Sequence, residues 1–265
     1  MKQNIKVAFF DIDGTLASNT IVSKNIIDRI PMSARQAIKE LKKNGITPMI
    51  ATGRGRIAVT SLVEALEMDS YISVNGQSIV YEGKEIHKQY LTIEEIEAIL
   101  KQTMGTFDMS IVLETTKGNV VVQLSENERF RAENYYADIR DNLTMIKEYD
   151  TYEVTLLGEE VKEKAIINIP GIKGKMVGIG AMNIYPENVS KATAIETVLE
   201  IFSLTKEQAI AFGDEENDID MFQAVGNAVA MGNANEELKK LATYVSDTVD
   251  NNGIYKACQY YGLIK

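Results

Sequence analysis

The chain has 265 residues, 45% of them hydrophobic and 25% charged, with a formal net charge of -10. That is enough apolar material for a large core, and more length than one typical domain of roughly 100–200 residues needs. An acidic chain without a Lys/Arg block argues against a nucleic-acid partner, and no stretch approaches the roughly 20 apolar residues of a membrane span.

Residues 5–10, IKVAFF, form a continuous apolar run, as expected of a strand buried on both faces of a parallel sheet. After a polar stretch comes SARQAIKELKKNG, in which Ser33 and Gln36 have capping-box spacing and Asn44-Gly45 is a stop signal. ITPMIAT at 46–52 is the next buried strand, a helix follows over about 57–67, and YISVN at 71–75 is a third strand. Strand, helix, strand, helix, strand is the rhythm of an α/β sheet.

The pattern then changes. SIVYEGKEIHKQY is predicted to be a strand pair turning at Gly83, and Thr92 with Glu95 caps a helix. MSIVLETTKGNVVVQL is a hairpin with Lys117-Gly118 at its turn. A helix near 127–141 and strands near 152–157, 164–169 and 175–184 complete a stretch of antiparallel sheet with helices. We read 84–184 as an inserted domain and 1–83 with 185–265 as a discontinuous Rossmann-like core. In the returning core, a strand over QAIAFGD, a helix at 216–224, a strand over NAVAM, a helix at 235–242, a short TYVS strand and a last helix at 254–261 are predicted.

In an open parallel sheet, ligands sit at the carboxyl ends of the strands. Asp11 ends the first strand and Asp13 follows it; Thr52, Gly53 and Arg54 end the second; Asn75 and Gly76 end the third. Asp214 ends the strand after the insert, with Asn217 and Asp218 in the next turn, and Lys191 opens the helix before it. Clustered Asp oxygens are hard ligands suited to Mg2+. A hydroxyl and a lysine suit the oxygens of a phosphoryl group. One carboxylate can attack phosphorus and a second can carry the proton of the leaving oxygen.

DIDGT, ATGR, VSKATAI and GDEEND, in that order, resemble the four motifs of the haloacid dehalogenase superfamily. The large insert between the second and third motifs is similar to that of the Cof-type sugar phosphatases with a C2-type cap. The resemblance implies Asp11 as nucleophile and metal ligand, and Asp13 as general acid/base with its main-chain carbonyl on the metal. It implies Thr52 and Lys191 on the phosphate, Asp214 as metal ligand, and Asp218 as the acid supporting the metal's water shell. Gly53, Arg54, Asn75 and Asn217 are expected near phosphate or substrate. Asn188 and Ala192 stand where the family often has Gly, and the segment ASNTIVSKNIIDRIPM is longer than usual, so the mouth of the site is expected to differ.

The function so implied is Mg2+-dependent hydrolysis of a small phosphorylated metabolite, with a phosphosugar mutase as the alternative. A dehalogenase would need neither Asp13 nor the metal acids. His87 is read as structural and Cys258 as a packing residue. The glycines of VGIGAM at 177–182 lack the third glycine and the helix of a dinucleotide loop. One cysteine excludes an internal disulfide and favours a reducing compartment, so a cytoplasmic location is expected. Oligomeric state leaves no mark in the sequence.

Overall fold

The computed structural model describes residues 4–127, 138–139 and 146–265, and divides into two units. The first comprises Met1–Lys88 and Ser190–Lys265, the second Gln89–Val189.

In chain order, the first unit opens with β1 (Val7–Phe10), α1 (Met32–Lys43), β2 (Thr47–Ala51), α2 (Arg56–Ala65), β3 (Tyr71–Ser73), β4 (Ser78–Tyr81) and β5 (Lys84–Lys88). The second unit holds α3 (Ile93–Thr103), β6 (Ser110–Thr115), β7 (Gly118–Gln123), β8 (Asp138–Ile139), β9 (Thr151–Leu157), α4 (Val161–Lys164), β10 (Ile172–Gly178) and β11 (Ala181–Pro186). The chain returns to the first unit with α5 (Lys191–Ile201), β12 (Ala209–Gly213), α6 (Ile219–Ala224), β13 (Asn227–Ala230), α7 (Glu236–Leu241), β14 (Tyr244–Val245) and α8 (Gly253–Tyr260).

The first unit is an eight-stranded sheet in the order β14-β13-β12-β1-β2-β3-β4-β5, parallel from β14 to β3 and closed by the antiparallel β3-β4-β5 edge. β1 explains why its strand reads as a solid apolar run. Ala8 and Phe10 pack into a core with Ile38 and Leu41 of α1 and Cys258 of α8, while Val7 and Phe9 face Ile195 and Val198 of α5 on the other side. Helices therefore cover both faces, and alternate side chains of one strand feed two cores. Phe10 stacks on Phe212 of the neighbouring β12 at 4.7 Å between ring centres.

The second unit is a six-stranded sheet in the order β10-β11-β9-β6-β7-β8. Ile96, Ile99 and Leu100 of α3 pack on Ile111, Leu113, Val154, Leu156 and Ile184 of one sheet face. On the other face Glu153 is buried and accepts from Asn183 Nδ2 at 2.5 Å, and Asn183 Oδ1 accepts from Thr155 Oγ1 at 3.1 Å.

Several expectations need correction. The insert expected at 84–184 corresponds to the unit Gln89–Val189, because β5 pairs with β4 in the core sheet and β11 pairs with β9 in the second sheet. The Ser33–Gln36 capping box does not form. The helix begins at Met32 after Pro31, which puts Ser33 inside the first turn, its hydroxyl without a partner, while Gln36 bonds Glu40. The Thr92–Glu95 box does form, with both reciprocal bonds. The strand expected at 164–169 does not form: Lys164 ends the short α4, and 165–169 is irregular chain. The strand at 175–184 is two, β10 and β11, reversing at Gly180 with φ 64°. The helix expected near 127–141 falls on residues outside those described, except that Asp138–Ile139 form a strand beside β7.

Candidate active site

Register brings the acids together. Phe10 of β1 lies opposite Phe212 of β12, so Asp11 and Asp214 leave neighbouring strands side by side, and Asp11 N still donates to Phe212 O at 3.1 Å. Gly14, at φ +83°, turns the chain back under Asp214; a Cβ there would lie 1.9 Å from Asp214 Oδ2, so a residue without a side chain is needed. The turn delivers Thr15, whose hydroxyl donates to Asp214 Oδ1 at 2.8 Å.

Lys191 reaches the same point from the first turn of α5. Ser190 caps that helix, bonded reciprocally with Thr193. The Lys191 ammonium donates to Asp11 Oδ1 at 2.6 Å and to Asp218 Oδ1 at 2.7 Å, with its side chain 5% exposed. The other oxygen of Asp218 accepts the main-chain N–H groups of Asp214 and Glu215, at 3.0 and 3.3 Å. One carboxylate thus closes its own turn and orients the lysine.

Asp11, Asp214 and Asp218 each offer an oxygen within 4.8 Å of the others, and all three are buried. Three carboxylates share one ammonium, which leaves two negative charges uncompensated in a dry place. The electrostatics follow. Burial pushes Asp11 up to about 7, against the pull of Lys191, and the negative Asp218 and Asp13 add to the rise. Burial also raises Asp214 to about 7, opposed by the Thr15 hydrogen bond and reinforced by Asp11 and Asp218. For Lys191 burial acts downward, but Asp11 and Asp218 more than offset it and hold the amine protonated above its ordinary value. An all-oxygen, all-carboxylate donor set short of two positive charges suits a hard divalent cation.

Asp13 stands apart from this cluster. Its carboxylate is held by Arg54, through Nε at 3.0 Å and Nη2 at 2.7 and 2.9 Å, and by Arg29 Nη2 at 3.4 Å. Thr52 is buried at the end of β2, and its hydroxyl accepts from Arg54 N at 3.1 Å. Val74 and Asn75 follow β3 at φ 50° and 57°, with Gly76 at φ 115°. Positive φ is costly for a β-branched residue, of order 1–3 kcal/mol. The bend lets Val74 N bond Arg54 O and Asn75 N bond Thr52 O, so the two loops are laced together. Asn75 Oδ1 would lie 2.7 Å from a Cβ at position 53, which explains Gly53. Asn217 lies exposed in the turn Glu216–Asp218.

Two residues of this region carry no signal that sequence reasoning assigned. Arg29 ends the 3₁₀ turn Ile26–Arg29, which Asn25 caps, in the long segment before α1. Asn233 donates to Gly14 O at 2.8 Å and accepts from Val249 N at 3.1 Å, fastening the turn that Gly14 makes. Its place just after β13, on the same sheet rim, is the cue that was open to a reader.

The sequence model of the haloacid dehalogenase-like hydrolases matches residues 8–258. This chain belongs to that family. It is an enzyme of the phosphatase type found there. It is 34% identical over 263 residues to the putative phosphatase YkrA of Bacillus subtilis, covering 98% of this chain and 99% of the relative. It is 28% identical to 5-amino-6-(5-phospho-D-ribitylamino)uracil phosphatase YcsE of the same organism, covering 98% of this chain and 97% of that one. Among solved structures, the subclass IIB sugar phosphatase BT4131 superposes with a TM-score of 0.78 at 25% identity, over 98% of this chain and 100% of that one. The α/β core with a parallel sheet and an inserted second unit is accordingly the fold of this family. No helix among the described residues is long and apolar enough to cross a membrane.

Proposed function

We propose that this phosphatase is a Mg2+-dependent phosphomonoesterase acting on small phosphorylated metabolites, sugar phosphates or compounds like them, through an aspartyl phosphate on Asp11. The observation that carries the reading is the division of labour between two carboxylates two residues apart. Asp11 is buried and ion-paired with Lys191 beside Asp214 and Asp218, whereas Asp13 is held outside that cluster by two arginines.

In this reading an oxygen of Asp11 attacks phosphorus and the bond from phosphorus to the leaving oxygen breaks. The Asp13 carboxyl gives its proton to that oxygen. Asp13, now a carboxylate, takes a proton from water as the water attacks the phosphoryl group, which frees inorganic phosphate and restores Asp11. Lys191 and the Thr52 hydroxyl hold phosphoryl oxygens, with Gly53, Arg54, Asn75 and Asn217 lining the same rim. Asp11, Asp214 and Asp218, with the main-chain carbonyl of Asp13, would hold Mg2+, which supplies the positive charge that the acids and the phosphoryl group both lack.

The relatives support the substrate class: one is a sugar phosphatase and another acts on a phosphoribityl compound. The inserted unit takes the place of the cap domain in this reading, and the single cysteine fits a cytoplasmic setting. Release of inorganic phosphate from a panel of phosphomonoesters, with Mg2+ and with a chelator, tests the proposal. Magnesium-dependent release supports it. Transfer of the phosphoryl group to a second sugar without release would replace it with a mutase.

A further inference from the structure

Arg29 is the residue beside Asp13 that no motif announces. It lies in the long segment between the Gly14 turn and α1, and its side chain is 17% exposed. Its guanidinium is locked by its own loop. Nε donates to Ser18 O and Nη2 to Asn19 Oδ1, each at 2.7 Å, and Ser18 N donates to Arg29 O at 2.9 Å. The loop is fixed in turn where Thr20, bonded to Ser18, donates to Asp250 at 3.1 Å. From this mount Arg29 Nη2 stands 3.4 Å from Asp13 Oδ1.

Arg54 is mounted differently. Its side chain is 35% exposed, and among the described residues every side-chain hydrogen bond it makes goes to Asp13. An incoming phosphate dianion, though tetrahedral, offers a guanidinium two oxygens for bidentate binding as Asp13 does, with more charge. Arg54 can therefore exchange Asp13 for phosphate without breaking any other hydrogen bond of its side chain. Arg29 cannot follow, because two acceptors on its own loop hold it. Asp13 has a 44% exposed side chain and would then keep one cation beside it.

We propose that Arg29 is a positioning residue for Asp13, keeping its carboxyl group aimed at the leaving oxygen when Arg54 turns to the phosphate. The inference rests on the reading of Asp13 as the proton donor, and it makes the unusual loop part of the site. The bond changes are those given above; Arg29 neither gains nor loses a proton.

The test compares two ester types in four variants: Arg29→Gln, Arg29→Lys, Asp13→Asn and the Asp13→Asn/Arg29→Gln double. An aryl phosphate such as p-nitrophenyl phosphate leaves without a proton, whereas an alkyl phosphate drawn from the panel needs one. Arg29→Gln is expected to slow release of the alcohol from the alkyl ester, read in a single turnover, about tenfold, a fraction of the 10²–10⁴-fold typical of a general acid, with substrate affinity changed less than about twofold. Release of the phenol from the aryl ester in the same single turnover changes little, Arg29→Lys recovers most of the loss, and Arg29→Gln adds nothing in the Asp13→Asn background. Equal losses on both esters, a further loss in the double variant, or no loss at all would overturn the proposal. If Asp13→Asn keeps its selective loss on the alkyl ester in those cases, the proton-donor reading stands and only the role of Arg29 falls. If Asp13→Asn itself shows no preference between the esters, both fall together.

Discussion

Lys191 and Asp11 are 180 positions apart in the chain and 2.6 Å apart in the fold, with the inserted unit between them in sequence. The contact joins the end of β1 to the start of α5, and Asp218 shares the same ammonium at 2.7 Å. Removing the lysine leaves buried carboxylates unpaired, a change that costs about 3–5 kcal/mol for a buried pair broken on one side. Lys191→Met is therefore expected to lower the melting temperature sharply in a chelator, and Mg2+ is expected to restore part of the loss. Thermal unfolding with and without Mg2+ measures both. A variant as stable as the parent in chelator would contradict the electrostatic account.

Stability should also depend on pH in a way opposite to that of a typical salt-bridged acid. Asp11 and Asp214 rise from 3.8 to about 7 in the folded protein. Over that window the folded state keeps protons that the unfolded state has lost. Stability of the metal-free protein therefore falls as pH rises from about 4 to about 7 and levels off above it. Lys191, raised above its ordinary value, stays charged in both states throughout the window and does not change the slope. Urea unfolding in chelator across pH 4–8 is the measurement, and Mg2+ should flatten the decline because the cation replaces the protons. A metal-free protein that gains stability over this range would refute the charge balance drawn for the site.

Gly14 tests the same cluster by sterics. A Cβ at this position would meet Asp214 Oδ2 at 1.9 Å, and φ +83° disfavours any side chain there. Gly14→Ala should preserve the helix and sheet content while weakening Mg2+ binding, measured by calorimetry, by about tenfold or more, since a displaced first ligand costs at least as much as a lost supporting one. Unchanged affinity would mean that Asp214 takes no part in holding the cation.

Cys258 should be chemically silent in the native protein. It is fully buried in the core against α1, and burial, with Glu40 nearby, pushes its thiol up to about 12. Alkylation by iodoacetamide should be undetectable in native buffer and complete in urea. Rapid native labelling would show that α8 opens locally.

The core was legible because its signals are local and strong. β1 reads as buried on both faces because Val7, Ala8, Phe9 and Phe10 are all apolar, and its partners are buried strands of the same kind. Asp11, Thr52, Asn75 and Asp214 could be placed on one rim because each follows such a strand. What could not be read is contact made outside the long periodic elements. Arg29 reaches Asp13 from the single 3₁₀ turn Ile26–Arg29, and Asn233 fastens Gly14 across 219 positions. Nor does a Ser-x-x-Gln spacing reveal that Pro31 starts its helix early and strands the Ser33 hydroxyl. In the inserted unit, IIN at 166–168 has the apolar content of a strand, yet the chain there stays irregular.

The central claim is that Asp11 becomes covalently phosphorylated. Acid quench of the enzyme within its first turnover on a good substrate, followed by mass analysis of the peptide that carries Asp11, tests it most directly. One phosphoryl group on Asp11 is expected before the steady state, none in Asp11→Asn, and no phosphate release by that variant. Full turnover with no label on Asp11, or phosphate release by Asp11→Asn at the parent rate, would contradict it.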